Sequence, residues 1–296
     1  MQHFKKLADI HQFNGFPKPE NPLFSAYRCT RTCNIGDREF TADFYMIGFK
    51  KLKSGVIMYG RTKYDHENGS MIFVKPRQVI EFNNLEYEED AFIIFIHEDF
   101  LNGHFLHNEI SKYAFFDYET NEALHLSPSE EHTIWDLFSK IETEYHNNTD
   151  EYSKDIILAH IDSILKYSQR FYKRQFINRT ELSGKTISRF NEVLGAYFKN
   201  GLLHTQGLPS VNALASQLNL SPRYLSDMLK QETGKTAIEL IHIYLVNEAK
   251  NRLRTDNQRV SEIAYELGFE NLSYFSRLFK KETGFTPNQF KKGLVN

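Results

Sequence analysis

The chain has 296 residues, enough for two ordinary domains that each bury a core. Its formal net charge of −2 divides unevenly: residues 190–296 hold 13 Lys+Arg against 10 Asp+Glu, and residues 1–189 hold 23 against 28. The longest purely apolar run, Ala91 to Ile96, is far short of the roughly 20 residues of a membrane-spanning helix, and two cysteines do not make a disulfide-stapled domain. The N-terminus shows no apolar core followed by a small-residue cleavage site, so a cytoplasmic location is expected.

Taken in chain order, residues 1–20 carry two prolines and little periodicity, and read as an arm or edge segment. Residues 21–127 read as β-rich. Phe40 to Phe49, Gly55 to Tyr59, Met71 to Val74, Val79 to Phe82 and Ala91 to Ile96 are short aromatic and β-branched runs separated by turn residues. Their spacing predicts a small barrel or sandwich, with Phe44, Tyr45, Phe49, Tyr59, Phe73, Phe82, Phe92 and Phe95 mostly in its core.

Ser127-Pro128-Ser129-Glu130 is a capping box with proline at the first helical position, and predicts a helix carrying Ile134, Leu137, Phe138, Ile141 and Tyr145. A second long helix is predicted from about Tyr152 to Phe176. Its apolar residues occupy more than one stripe, which suits either intrachain core alone or core plus a second subunit. On the second reading, Ile157, Ile161, Ile164 and Phe171 form a dimer interface, and residues 128–180 a helical dimerisation segment. A polar linker is expected around Arg179 to Lys185, and a helical domain over 186–296.

That last domain contains one pattern twice. Val211 to Leu218 lines up with Val260 to Leu267, at an offset of 49, and Leu225 to Gly234 with Phe275 to Gly284, at an offset of 50. One residue was gained in the turn. A short turn between two helices, repeated, is the layout of a tandem helix-turn-helix reader of double-stranded DNA, whereas two-helix solenoids ordinarily need three or more units. In the first unit Leu225, Met228 and Leu229 must face inward, and in the second Phe275, Leu278 and Phe279. Residues near the start of such a helix meet base edges and later basic residues meet phosphates. Arg223, Ser226 and Asp227, with Ser273, Tyr274, Ser276 and Arg277, are the expected base-reading residues. Ser221, Lys230, Lys280 and Lys281 are the expected phosphate contacts. Asp227 is open between accepting from cytosine N4 and pairing with Arg223 four residues earlier. Between the units, Thr236-Ala-Ile-Glu239 opens a helix with a stripe of Ile238, Ile241, Leu245, Ala249 and Leu253. At about 18 residues it is roughly 27 Å long, suited to hold two reading helices near one DNA turn, about 34 Å, apart.

Ser261 to Pro287, SEIAYELGFENLSYFSRLFKKETGFTP, closely resembles the signature of AraC/XylS-type transcription regulators, and the likeness covers roughly residues 188–292. The resemblance implies a seven-helix DNA-binding domain with two helix-turn-helix units that activates or represses transcription, through RNA polymerase where it activates. More loosely, it implies a cupin-like barrel over 21–127 that binds a small effector, followed by helices that make a homodimer. Metal-binding cupins show paired histidines one residue apart and a later glutamate and histidine. Here His66 stands alone and Pro76 to Asn83 lacks the later histidine, so neither a metal nor catalysis is expected.

Two smaller features have plain readings. His104 and His107 have a metal-compatible spacing without a completing ligand set, and read as a surface or partly buried pair. Cys29 and Cys33 are four apart and can form a redox pair, but read as two incidental thiols. Two other functions remain open: a cupin-type enzyme with an accessory DNA-binding domain, and a regulator whose barrel makes only protein contacts.

Overall fold

The computed structural model describes all residues except 1, 30–32, 36–37, 51, 55–57, 60–61, 64–68, 83–84, 88–90, 119–121, 184–185, 256–257 and 294–296. The chain divides into two compact units, Met1–Gln175 and Phe176–Asn296, so the boundary falls inside a long helix. Among the described residues no helix is long and apolar enough to cross a membrane.

The first unit is mixed α and β. Its strands are β1 (Gln2–Phe4), β2 (Phe24–Cys29), β3 (Cys33–Ile35), β4 (Arg38–Ala42), β5 (Phe44–Lys50), β6 (Leu52–Ser54), β7 (Met58–Tyr59), β8 (Thr62–Lys63), β9 (Ser70–Val74), β10 (Ile80–Phe82), β11 (Leu85–Tyr87), β12 (Ala91–His97) and β13 (Leu124–His125). Its helices are α1 (Leu7–Asn14), α2 (Leu106–Glu109), α3 (Pro128–His146) and the start of α4 (Ser153–Ser183). A central sheet runs β13-β9-β5-β12-β2, beside ladders β1-β4-β10, β3-β11-β6 and β7-β8. Pairing among the described residues does not join these four ladders into one closed barrel.

The two faces of the central sheet do different work. Phe44 and Met46 of β5 and Val74 of β9 pack with Phe40 and Ala42 of β4, Ile80 of β10 and the N-terminal Phe4, Leu7 and Ile10. The opposite face meets α3, where Phe92 stacks on Phe138 with ring centroids 4.1 Å apart and Phe49 meets Trp135 edge-on at 5.4 Å. Residues 2–20 therefore follow the edge-segment reading rather than that of a loose arm, with β1 at the edge of its ladder. β1 pairs in parallel with β4, and His11 of α1 is buried with Nδ1 2.6 Å from the Pro17 carbonyl and Nε2 2.8 Å from Ser25 Oγ. A carbonyl only accepts, so Nδ1 carries the proton and Nε2 accepts from the serine.

Helix α3 starts where its capping box requires. Ser127 N–H donates to Glu130 Oε2 at 2.8 Å, and Glu130 N–H to Ser127 Oγ at 3.4 Å. Helix α4 is held to β13 by polar contacts: His125 N–H donates to Gln175 Oε1 at 2.8 Å, and Arg174 Nη2 to the His125 carbonyl at 2.6 Å. It continues to Ser183, through most of the expected linker, because nothing before Gly184 breaks it.

The second unit is all helical: α5 (Thr186–Lys199), α6 (Leu202–Gln206), α7 (Val211–Leu218), α8 (Pro222–Thr233), α9 (Ala237–Thr255), α10 (Val260–Glu266), α11 (Leu272–Thr283) and α12 (Pro287–Lys292). Among the described residues these are eight helices where seven were expected, α6 being a single turn and a half. A continuous core joins both duplicated units through α9, whose Ile241, Leu245, Ala249 and Leu253 are buried as expected. Ile238 departs from that stripe and is 43% exposed, with Val246 buried instead.

Candidate nucleic-acid interface

The second helix of each duplicated unit, α8 or α11, is cut from the chain by similar local chemistry. In α8, Ser221 Oγ accepts from Tyr224 N–H at 3.2 Å; in α11, Asn271 Oδ1 accepts from Ser273 N–H at 2.8 Å and Tyr274 N–H at 3.1 Å. Both helices end on a left-handed glycine, Gly234 and Gly284, whose N–H closes on the carbonyl of Lys230 or Lys280. The preceding turns also match: Leu220 N–H donates to Ala215 O and Phe269 N–H to Ala264 O, each at 3.0 Å. The residue gained by the second unit is Glu270, which sits between this shared turn and the Asn271 cap.

The duplication reaches further than the two-helix pattern. Thr233 Oγ1 donates to the Leu229 carbonyl and Thr283 Oγ1 to that of Phe279, at 2.8 and 2.7 Å. Thr236 N–H then donates to Glu239 Oε2 at 2.7 Å, and Thr286 N–H to Gln289 Oε1 at 2.9 Å. Each unit is thus followed by a third, capped helix start. Thr236-x-x-Glu239 and Thr286-x-x-Gln289 carried that signal in the sequence.

The inward stripes fall where periodicity puts them, with Leu225, Met228, Leu229, Phe275, Leu278 and Phe279 all buried. Outward, Arg223, Ser273, Tyr274, Arg277, Lys230, Lys280 and Lys281 are exposed, and Ser226, Asp227 and Ser276 are partly so. Ser221 departs from its expected phosphate role: it is 3% exposed and its hydroxyl caps α8. Asp227 pairs with Arg223 in this structure, Nε to Oδ2 at 3.2 Å.

The equivalent tyrosines of the two units have different fates. Tyr224 is fully buried against Phe176, with ring centroids 5.1 Å apart, whereas Tyr274 is 40% exposed and its hydroxyl lies 3.3 Å from His242 Nε2 on α9. Burial holds the His242 imidazole below its ordinary range, a shift that the Lys281 charge reinforces and the Glu282 and Glu239 carboxylates oppose. The Glu239 carboxyl is itself held low, first by the Thr236 N–H and then by the Thr236 hydroxyl. No sequence pattern announced His242, because its partner is 32 residues away.

The first unit places its candidates differently from expectation. Ile157, Ile161, Ile164 and Phe171, expected at a dimer interface, are 5%, 0%, 0% and 6% exposed in the single chain. Their apolar surface is already covered. His104 Nδ1 accepts from Leu106 N–H at 3.3 Å, a turn contact, and no metal-binding cluster occurs among the described residues. His66 lies outside the described residues, as does Asn83. Cys29 is disulfide-bonded, which corrects the reading of two incidental thiols; the side chain of Cys33 is outside the described residues. One polar row stands out in the central sheet. Lys50 of β5, Ser70 of β9 and His125 of β13 are direct register partners, hence on one face. By strand alternation that face is the one bearing Met46 and Val74. Burial pushes the Lys50 ammonium down to about 8.

Residues 214–293 match a helix-turn-helix domain family. Over 83 residues the chain is 37% identical to an uncharacterised helix-turn-helix-type transcriptional regulator from Pseudoalteromonas carrageenovora, covering 28% of this chain and 49% of that protein. Over 82 residues it is 35% identical to the helix-turn-helix-type transcriptional activator RhaS of Escherichia coli, covering 28% of this chain and 30% of RhaS. Among solved structures it is similar to the C-terminal domain of AraT, a response regulator from Geobacillus stearothermophilus, at 31% identity and a TM-score of 0.31, covering 36% of this chain and 84% of that one. The chain spans about half or less of the curated relatives it matches.

Proposed function

From the premise that its C-terminal domain is an AraC-type helix-turn-helix domain, we propose that this chain is a sequence-specific DNA-binding transcription regulator. The observation that carries the reading is the duplicated helix, side-chain capped at its start and ended by a left-handed glycine in both copies, whose outward faces present Arg223 in α8 and Arg277 in α11. An arginine fork matches the two acceptors of guanine, and Ser226, Ser273, Tyr274 and Ser276 lie on the same outward sides. Lys230, Lys280 and Lys281 stand in the last turns, where they offset the helix dipole and are within reach of a phosphate backbone. Helix α9, with 19 residues, is about 28 Å long and supports an assignment of the two units to successive major grooves.

The first unit is proposed as a cupin-like sensing domain for a small effector. Support comes from the Lys50–Ser70–His125 row, three polar side chains that are register partners on the face of the central sheet bearing Met46 and Val74. A homodimer belongs to the same reading, with the exposed Tyr152, just before α4, and Ile156 of α4 as its surface in place of the buried isoleucines. Activation is supported by the likeness to RhaS, a transcriptional activator, and on this reading it proceeds through RNA polymerase.

The reading is tested by titrating the full chain against a library of double-stranded fragments at several salt concentrations. Selective enrichment, with an affinity that falls steeply as salt rises, is expected. Uniform, salt-insensitive retention of all fragments would sink it.

A further inference from the structure

Tyr274 stands in the first turn of α11 and its hydroxyl faces two ways. On one side it meets His242 Nε2 at 3.3 Å; on the other the residue is 40% exposed. A phenol is both donor and acceptor, so what it offers outward depends on what it does inward. When Nε2 carries no proton it accepts the phenolic hydrogen, and Tyr274 then presents only oxygen lone pairs. An imidazolium must donate from Nε2, so the phenolic oxygen accepts and its hydrogen is released outward. The first presentation suits an amino donor of adenine or cytosine, the second a purine N7 or O6.

The charged groups whose fields reach His242 are Glu239 on its own helix and Lys281 and Glu282 on α11. Burial and the Lys281 charge hold the ring below its ordinary range against both carboxylates, so the free protein favours the neutral ring, and a neighbouring phosphate backbone pushes it toward the charged form. The first unit has no counterpart, because Tyr224 is spent in the core against Phe176.

We propose that His242 is a specificity-positioning residue of the second reading unit, fixing the Tyr274 hydroxyl and selecting whether it presents a donor or an acceptor to DNA. This rests on the DNA-reading function proposed above. The test is sequencing of fragments selected by the full-length parent, Tyr274→Phe, His242→Ala, His242→Gln and the Phe/Ala double variant, at pH 7.5 and pH 6.0. Tyr274→Phe and His242→Ala should alter the base preference at one shared position, by about five-fold, the size of one net hydrogen bond. The double variant should add nothing further, and His242→Gln should restore part of the preference. Acidification should shift that position in the parent but not in Tyr274→Phe. A His242→Ala variant that weakens every fragment equally, or changes positions that Tyr274→Phe leaves alone, overturns the proposal. So does a parent preference at that position that ignores pH. If the parent enriches no sequence, the DNA-reading function itself falls. If the parent enriches and all variants match it, only the role of His242 falls.

Discussion

Arg223 Nε donates to Asp227 Oδ2 at 3.2 Å, one helical turn apart on the outward side of α8. In the second unit the residue equivalent to Asp227 is Arg277, so the same scaffold carries a partly neutralised arginine in one copy and an added cation in the other. The two reading faces are chemically unlike. Asp227→Ala removes the carboxylate that holds Arg223. The variant should change thermal stability by less than about 0.5 kcal/mol, since exposed pairs at this spacing contribute little. It should also bind unrelated DNA more tightly and with a steeper salt slope. Unchanged non-specific binding in a salt titration would show that Asp227 does not restrain the arginine.

The shared turn makes a second prediction. Gly268 has φ +81°, and a Cβ there would sit 3.2 Å from the Gly207 carbonyl carbon and 3.3 Å from Leu208 N. Both neighbours are backbone and cannot swing aside. Gly268→Ala should cost on the order of 1–3 kcal/mol in denaturant unfolding. The equivalent Asn219 is also left-handed, at φ 56°, so Asn219→Gly should be near neutral.

His11 predicts an acid limit for the first unit. Burial holds its imidazole below the ordinary range, against the raising effect of the Pro17 carbonyl. The folded state therefore prefers the neutral ring. Stability from this group is present above the unfolded value of about 6.5 and falls as pH drops through it toward the lower folded value. Melting curves between pH 7.5 and 5 should show the loss, and His11→Gln should flatten it.

Lys50 follows the same sign in a higher pH window. Burial pushes its ammonium down to about 8, so below that pH the fold holds a charge it disfavours. Raising pH from about 8 toward 10.5 should relieve the cost and stabilise the first unit. Lys50→Met should raise the melting temperature at pH 7, by about 1–3 kcal/mol of stability. A destabilised Lys50→Met variant would mean that the ammonium's contacts outweigh its burial.

Much of this arrangement was legible in the sequence wherever the signal is local. Capping boxes at Ser127 and Thr236, glycine stops at Gly234 and Gly284 and the inward stripes of both reading helices follow from spacing alone. Periodicity also flagged Ile157, Ile161 and Ile164 as apolar, but a stripe does not say which surface covers it, and the chain's own core does. Phe4, Leu7 and Ile10 gave no repeating pattern because one strand and one short helix divide them. Cap geometry turned Ser221 from a phosphate contact into a buried helix start. The His242–Tyr274 contact joins different helices and has no sequence signature at all.

The central claim is that two copies of one scaffold read two unlike half-sequences in tandem, and it is tested most directly by selecting and sequencing DNA with the parent, Arg223→Ala and Arg277→Ala. The account predicts a composite site whose halves are about one helical turn apart. Each arginine variant should lose on the order of 1–3 kcal/mol and relax preference in a different half. Both variants binding every sequence as the parent does, or relaxing the same position, would contradict it.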